Sequence, residues 1–450
     1  METQNHEKVT VVNQIKSRLG NIGNAITGVG AEARRLGQED PRRVVHAFKV
    51  GLALALVSLL YSFDFFYDGF GVNAMWAVMT VVVVFEFSVG ATLGKGVNRA
   101  IATLLGGALG FVAHYAASYT GDKVEVILLG LSVFVIAVVT TFCRFFPKIR
   151  ARYDYGLLIF ILTFSLISVS GYRNDEIWDM AYGRLTTILV GGSATVLVCL
   201  LVCPVWAGED LHKLTASNIQ QLGTFLGGSL LFGRVYFQEE AKDDKNQALL
   251  NDYESVLNSK GVEDSLVNFA KWEPRHGKFR YRHPWHQYVE IGSLTRQCAY
   301  KIDALNSYLN SDVQTPLQHR EKMKEACKKI ILESSSALRE LAMGIQTMTC
   351  SSSRDAHVVN AKSAAAKLKA LMKSGLWPNA DFLDIVPAVA VASLLIEVLG
   401  CTVKIDEAVA KLASSARFKK VDREPNRELS FDKMQRTPSI LGSHINIIVE

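Results

Sequence analysis

Between residues 47 and 203 the chain carries six apolar stretches, each close to the length of a bilayer crossing, and after Pro204 it turns polar. A membrane helix needs about 20 apolar residues to cross ~30 Å of hydrocarbon. The expected spans are about 47–67, 72–90, 100–119, 124–142, 154–170 and 185–203. The fifth has the shortest apolar core and borrows Tyr153, Tyr155 and Tyr172 at its ends. Tyrosine favours headgroup depth, so these three fit an interfacial belt. Gly106, Gly107 and Gly110 in the third span, and Gly191 and Gly192 in the sixth, let helices approach closely in lipid.

The hydrophobic share of 49% and the mean hydropathy of +0.17 average two regimes, and do not describe one globular class. The net charge of +6 is modest and gathers in the N-terminal segment and the inner loops, which suits contact with anionic headgroups. Eight Lys and Arg precede the first helix, among them Arg42, Arg43 and Lys49. Arg144, Lys148, Arg150 and Arg152 lie between the fourth and fifth, while the alternate loops are richer in acids. By the positive-inside rule both termini are expected in the cytosol. A nucleic-acid partner is not expected, because the basic residues are not interleaved with aromatics and no zinc pattern appears. No secretory signal is expected, since the first 40 residues lack an apolar core. The seven cysteines form no CxxC, which points to reduced thiols.

A charge at the edge of hydrocarbon is costly and seldom kept without a use. Here Lys95, Arg99 and Arg184 stand at such edges, so a path for anions is the first expectation. Arg99 and Arg184 are expected to begin the third and sixth helices, where the helix dipole adds positive potential. A guanidinium stays charged and offers a fixed fork to a carboxylate. The string GATLGKG, Gly90–Gly96, has neither the spacing nor the Ser or Thr of a phosphate loop, and is read as an inner turn presenting Lys95 and Arg99. Glu86 is either a proton-coupling carboxylate or, as preferred, the ion-pair partner of Lys95 or Arg99. His46 and His114 read as packing residues. His276, His283 and His286 have no metal-ligand spacing, so neither a metal nor a cofactor is expected. No nucleophile and base are arranged for catalysis, and the chain is not expected to be an enzyme.

Beyond Pro204, helical spacing of apolar residues appears near 208–232, 240–258, 285–310, 318–348, 355–374 and 380–400. In the fourth of these, Met323, Cys327, Ile330, Ile331, Ser334 and Leu338 describe one stripe. Residues 385–400 are apolar but short and contain Pro387 and Glu397, so a buried cytosolic helix is preferred to a seventh span. The expected fold is all-α: a cytosolic segment 1–45, a six-helix transmembrane domain 46–204, a cytosolic helical domain 205–417 and a disordered tail 418–450. Ser430, Thr437 and Ser439 in that tail are candidate phosphorylation sites.

Five strings carry a resemblance: EDPRRVVHAFKVGLALALVS, GVNAMWAVMTVVVVFEFSVGATLGKGVNR, DYGLLIFILTFSLISVSGYR, CPVWAGEDLH and the Trp272-Glu273-Pro274 triplet. Over about residues 39 to 400 the chain resembles the plant aluminium-activated malate transporter family, which are anion channels. The resemblance implies a homodimer with a membrane pore and a helical cytosolic domain. It implies that Arg99 and Arg184 line the anion path, with Lys95 contributing. It also points to outer-face activation near Asp68, Asp175 and Asp179, with Met79 close by. GYRNDEIWD differs from the FRDEEI pattern of an aluminium-responsive member, Asn174 and Asp175 replacing its first two acids. The chain's length resembles the plasma-membrane members more than the vacuolar ones.

The expected function is therefore an anion channel passing malate and inorganic anions, with the lipid bilayer and a second copy of the chain as partners. The alternative is a proton-coupled organic-acid exporter, in which Glu86 would titrate. A non-transporting scaffold is the third reading, and it predicts that neutralising Arg99 changes nothing.

Overall fold

The structure is a computed structural model, and it describes residues 27–59, 74–171, 177–228, 253–277, 279, 283–309, 315–351, 353–374 and 382–421. The chain divides into two compact units. One is built on the described parts of Met1–Phe87 and Lys95–Pro204, the other on Ser88–Gly94 and the described parts of Val205–Ser430.

The first unit holds α1 (Pro41–Leu59), α2 (Ala74–Val84), most of α3 (Val89–Ser118), α4 (Asp122–Cys143), α5 (Pro147–Gly171) and α6 (Ile177–Leu201). Helices α3 to α6 are each long and apolar enough to cross a membrane, and α2 is a shorter apolar helix. Many large apolar side chains point outward, among them Leu105, Ile127, Phe134, Val138 and Leu197. Exposure on that scale suits a lipid solvent and not water. Gly106, Gly107, Gly110 and Gly191 act as the packing reading requires, while a Cβ on Gly192 would meet no neighbour among the described residues. A Cβ on Gly106 or Gly110 would press into α5 at Phe160, Thr163, Phe164 and Ile167, and one on Gly191 would meet the Ala77 carbonyl of α2.

Several boundaries differ from those expected: α1 starts at Pro41, α2 ends at Val84 and α6 starts at Ile177, and Arg99 and Arg184 lie inside α3 and α6 and do not begin them. The third helix starts at Val89 and not near 100, so Gly90–Gly96 is helix and not an inner turn. Ser88 explains the start: its Oγ accepts the Ala91 N–H at 3.3 Å, as an N-cap does. The helix tolerates its glycines because each leaves room for a neighbour, Phe269 beside Gly90 and Trp272 beside Gly94. The fifth helix starts at Pro147 and not near 154, with proline in the first helical position, where its missing N–H costs nothing.

The second unit holds α7 (Ala207–Gly227), α8 (Lys260–Ala270), α9 (Trp285–Leu309), α10 (Leu317–Glu321), α11 (Lys324–Thr347), α12 (Ser353–Lys373) and α13 (Phe382–Ser415). A short parallel pair, β1 (Thr349–Ser351) with β2 (Lys419–Val421), joins the end of α11 to the end of α13. Helix α8 carries no periodicity singled out in the sequence, and most of the helix expected at 240–258 lies outside the described residues. The stripe on α11 is real: Met323, Cys327, Ile330, Ser334 and Leu338 are all buried.

Helix α13 is also long and apolar enough to cross a membrane. Its apolar face is consumed elsewhere. Val398, Ile405, Ala408, Val409 and Leu412 join one buried core, and Ala388, Val391, Ala392, Leu395 and Leu399 join another. Those cores are shared with α7, α9, α11 and α12, whose outward faces are charged. A helix buried in protein on this pattern needs no lipid.

Candidate functional site

In the first unit α3 carries Lys95 and Arg99 one turn apart, so both face the same neighbours. Lys95 forms an ion pair with Glu86, which sits in the break between α2 and α3. The pairing expected of Glu86 is therefore made, and with Lys95. The Lys95 ammonium also stands 5.6 Å over the Tyr155 ring of α5. Arg99 is 6% exposed, and its Nη1 donates to the Tyr155 hydroxyl at 3.0 Å. Its Nε is buried and has no hydrogen-bond partner among the described residues. Beside it, Asn98 Nδ2 donates to the Arg152 carbonyl at 2.9 Å, which pins α3 to the first turns of α5.

Two cations thus stand against one carboxylate, and one of the cations is buried with an unused donor. Buried charge is ordinarily paired, because its desolvation costs several kcal/mol. Arg99 instead has a single neutral partner among the described residues, which leaves its guanidinium a hydrogen-bond donor for an anion.

Arg184 is half-buried on α6 and lies 4.2 Å over the centroid of Trp76, at the start of α2. Glu86 and Lys95 lie just beyond the other end of α2. Eleven residues of helix rise about 16 Å, so the structure sets Arg184 and the Lys95–Arg99 pair at opposite ends of α2. Met79 is exposed on α2 between those ends. Asp68 and Asp175 lie outside the described residues, as do Ser430, Thr437 and Ser439. Asp179 falls in α6, but its side chain lies outside them too.

Sequence reasoning missed three features. Tyr155 joins the cationic cluster, and only the fold brings residue 155 to residue 99. Lys49, expected ahead of the first helix, is inside α1 and 1% exposed. His46, one turn earlier, packs between the rings of Phe85 and Phe87, as a packing residue would. Asp154 is taken by Arg144 in a two-point ion pair, at 2.7 and 3.0 Å, so neither is free for a ligand.

The Trp272-Glu273-Pro274 triplet has a structural role within the second unit. Glu273 accepts the backbone N–H groups of Ala207 and Gly208 at the start of α7, and that of Gly90 at the start of α3. One carboxylate thereby caps two helix N-termini, where unpaired N–H groups and the helix dipole favour negative charge. Burial raises the Glu273 carboxyl above its ordinary value, and these three N–H groups oppose the rise. Among the described residues no cluster of histidine, cysteine and carboxylate has the arrangement of a metal site.

A family model described as aluminium activated malate transporter matches residues 34–377. The chain is 54% identical to aluminum-activated malate transporter 2 of Arabidopsis thaliana over 413 residues, covering 91% of this chain and 82% of that protein. It is 52% identical to aluminum-activated malate transporter 1 of the same plant over 396 residues, 86% of this chain and 80% of the relative. To aluminum-activated malate transporter 1 of Triticum aestivum it is 43% identical over 414 residues, covering 90% and 89%.

Proposed function

Since the chain belongs to the aluminium-activated malate transporter family, we propose that it is a channel passing malate and inorganic anions across a membrane, along a path lined by Arg99, Arg184 and Lys95. Membership of a family of transporters makes it no enzyme, and its apolar helices make it a multi-pass membrane protein. The observation that carries the channel reading is Arg99: a buried guanidinium with an unpartnered Nε, inside a unit of apolar helices. A carboxylate passing there would find donors already aimed and already dehydrated. Arg184, over Trp76, supplies a second fixed charge further along the helices. Between the two, a dianion exchanges one cationic station for another, and neither holds it in a closed cage.

The driving force needs no coupling site. A negative-inside potential favours anion exit by ~2.3 kcal/mol per charge per 100 mV. The proton-coupled alternative would use Glu86, and the ion pair with Lys95 argues against it, because a neighbouring ammonium favours the charged carboxylate. The topology that goes with the channel reading has both termini and the second unit in the cytosol, in a homodimer at the plasma membrane. The positive charge of Arg144, Lys148, Arg150 and Arg152 on one side supports that orientation.

Whole-cell currents with malate inside test the proposal, comparing the unaltered chain with Arg99→Ala and Arg184→Ala. The expected result is a malate-dependent current that falls at least tenfold (about 1.4 kcal/mol or more) in either variant, with surface delivery preserved. Full current in both variants would sink the arginine-lined path. A reversal potential that follows pH and ignores the anion gradient would establish the exporter instead.

A further inference from the structure

Helices α9 and α13 run side by side in the second unit, and two cysteines meet between them. Cys298 of α9 is fully buried, and Cys401 of α13 is partly exposed. Both belong to the one buried core in which α9 packs against α13. One turn away the same two helices are joined again, by the Lys301–Glu397 ion pair at 2.6 Å. Lys301 follows Cys298 by one turn, and Glu397 precedes Cys401 by one turn, so the two contacts are successive rungs of an antiparallel helix pair. Both thiols are free.

We infer that Cys298 and Cys401 are a peroxide-oxidised thiol pair, which closes reversibly into a disulfide linking α9 to α13. Nothing in the transport reading uses these residues.

The surroundings divide the work between the two sulfurs. The neighbouring Cys298 thiol, helped by the ammonium groups of Lys404 and Lys301, brings the Cys401 thiol down to about 7, against the opposing effect of burial and Glu397. The Cys401 sulfur beside it, with full burial, pushes Cys298 well above the ordinary thiol range. Cys401 is therefore the nucleophile with access to solvent, and Cys298 holds its proton beside it. Cys327 is the contrast within the same unit: burial pushes it up to about 12, and it has no such neighbour among the described residues.

The chemistry balances with a hydroperoxide as the oxidant. The Cys401 thiolate attacks one peroxide oxygen, the O–O bond breaks, hydroxide leaves and Cys401 becomes a sulfenic acid. The Cys298 sulfur then attacks the Cys401 sulfur, the S–O bond breaks and water leaves with the Cys298 proton. The two sulfurs have lost two electrons to the peroxide, and a dithiol returns them.

The test uses the full chain in nanodiscs at neutral pH, titrated with hydrogen peroxide, quenched with an alkylating reagent and read by peptide mass spectrometry. Before oxidant, Cys401 is expected to alkylate about tenfold or more faster than Cys327, because Cys401 is partly exposed and brought down to about 7 while burial pushes Cys327 up to about 12. On oxidation a Cys298–Cys401 peptide pair is expected, at the mass of one chain, and dithiothreitol is expected to reverse it. Cys298→Ser is expected to strand Cys401 as a dimedone-reactive sulfenic acid. Oxidation of Cys401 without the crosslink in the unaltered chain would overturn the inference. So would alkylation no faster than at Cys327, or a crosslink that doubles the mass on a non-reducing gel.

Discussion

Arg296 in the second unit and Arg99 in the first are both buried guanidiniums, and their surroundings are opposite. Arg296 forms an ion pair with Glu263, which is 1% exposed, and its Nη1 also reaches Ser259 Oγ at 3.4 Å. The other Glu263 oxygen accepts from Ser259 Oγ at 2.9 Å and Asn218 Nδ2 at 3.2 Å. Gly292 leaves the space that this carboxylate fills. Charge and hydrogen bonds are matched within the protein, so nothing is left to offer a ligand. Arg99 has Tyr155 and an idle Nε. A charge kept in a closed set fastens helices together; one kept in an open set waits for something mobile to complete it. The same side chain thus serves as a fastener in one unit and, under the channel proposal, as a station for an anion in the other.

Substitution should separate the two most sharply at Glu263. Glu263→Ala leaves Arg296 buried without its counter-ion, which costs about 3–5 kcal/mol, a large part of the 5–15 kcal/mol that holds a domain folded. The expected outcome is little folded protein, read as a loss of surface delivery and of a cooperative melting transition. Arg99→Ala, in contrast, should leave delivery and melting unchanged while current disappears. Equal loss of folding in both variants would break the comparison. Tyr155→Phe sharpens it at a smaller scale. It removes a hydrogen bond to a charged group, worth about 1.5–3 kcal/mol, and lets the Arg99 fork swing. Malate current is expected to fall several-fold at unchanged surface density, and an unchanged current would remove Tyr155 as the residue that aims the fork.

Much of this was legible in the residues. Span lengths and cation positions pointed to the right class, because hydrophobic length and charge at its edges are local properties of the chain. The pairing of Glu86 with Lys95 followed from proximity across one break. What sequence could not supply was the meeting of distant elements: Arg99 with Tyr155, Arg184 with Trp76, and Cys298 with Cys401. The start of α3 was misplaced for another reason. Three glycines in Gly90–Gly96 look like a turn, and only the close approach of Phe269 and Trp272 shows why a helix accepts them. Ser88 was the available signal, an N-cap residue just ahead of the helix, and it was outweighed by the glycines.

A milder test concerns the carboxylate paired with Lys95. Glu86→Gln removes the partner of Lys95 and leaves its charge unopposed. Malate current at low malate is expected to rise a few-fold, with the reversal potential still set by the anion gradient. A fall in current would mean that Glu86 positions Lys95 and does not merely neutralise it.

The smallest expected effect lies in the second unit, where polar groups are matched in their neutral states. His283 Nε2 is hydrogen-bonded to the Tyr288 hydroxyl at 2.9 Å, and His212 Nδ1 to the same hydroxyl at 2.7 Å. Phe279 and Trp285 pack around them. Burial, with His212 nearby, brings His283 down to about 4. A histidine whose folded value is depressed contributes stability that is fully present above the unfolded value of about 6.5 and is lost as pH falls towards 4. Amide-exchange protection across 285–291 should therefore weaken between pH 6.5 and 4, and His283→Asn should flatten that slope, since asparagine takes up no proton there. If the variant and the unaltered chain lose protection in parallel, the pH sensitivity belongs to other groups, and the matched neutral network at Tyr288 is not what ties this end of α9 to α7.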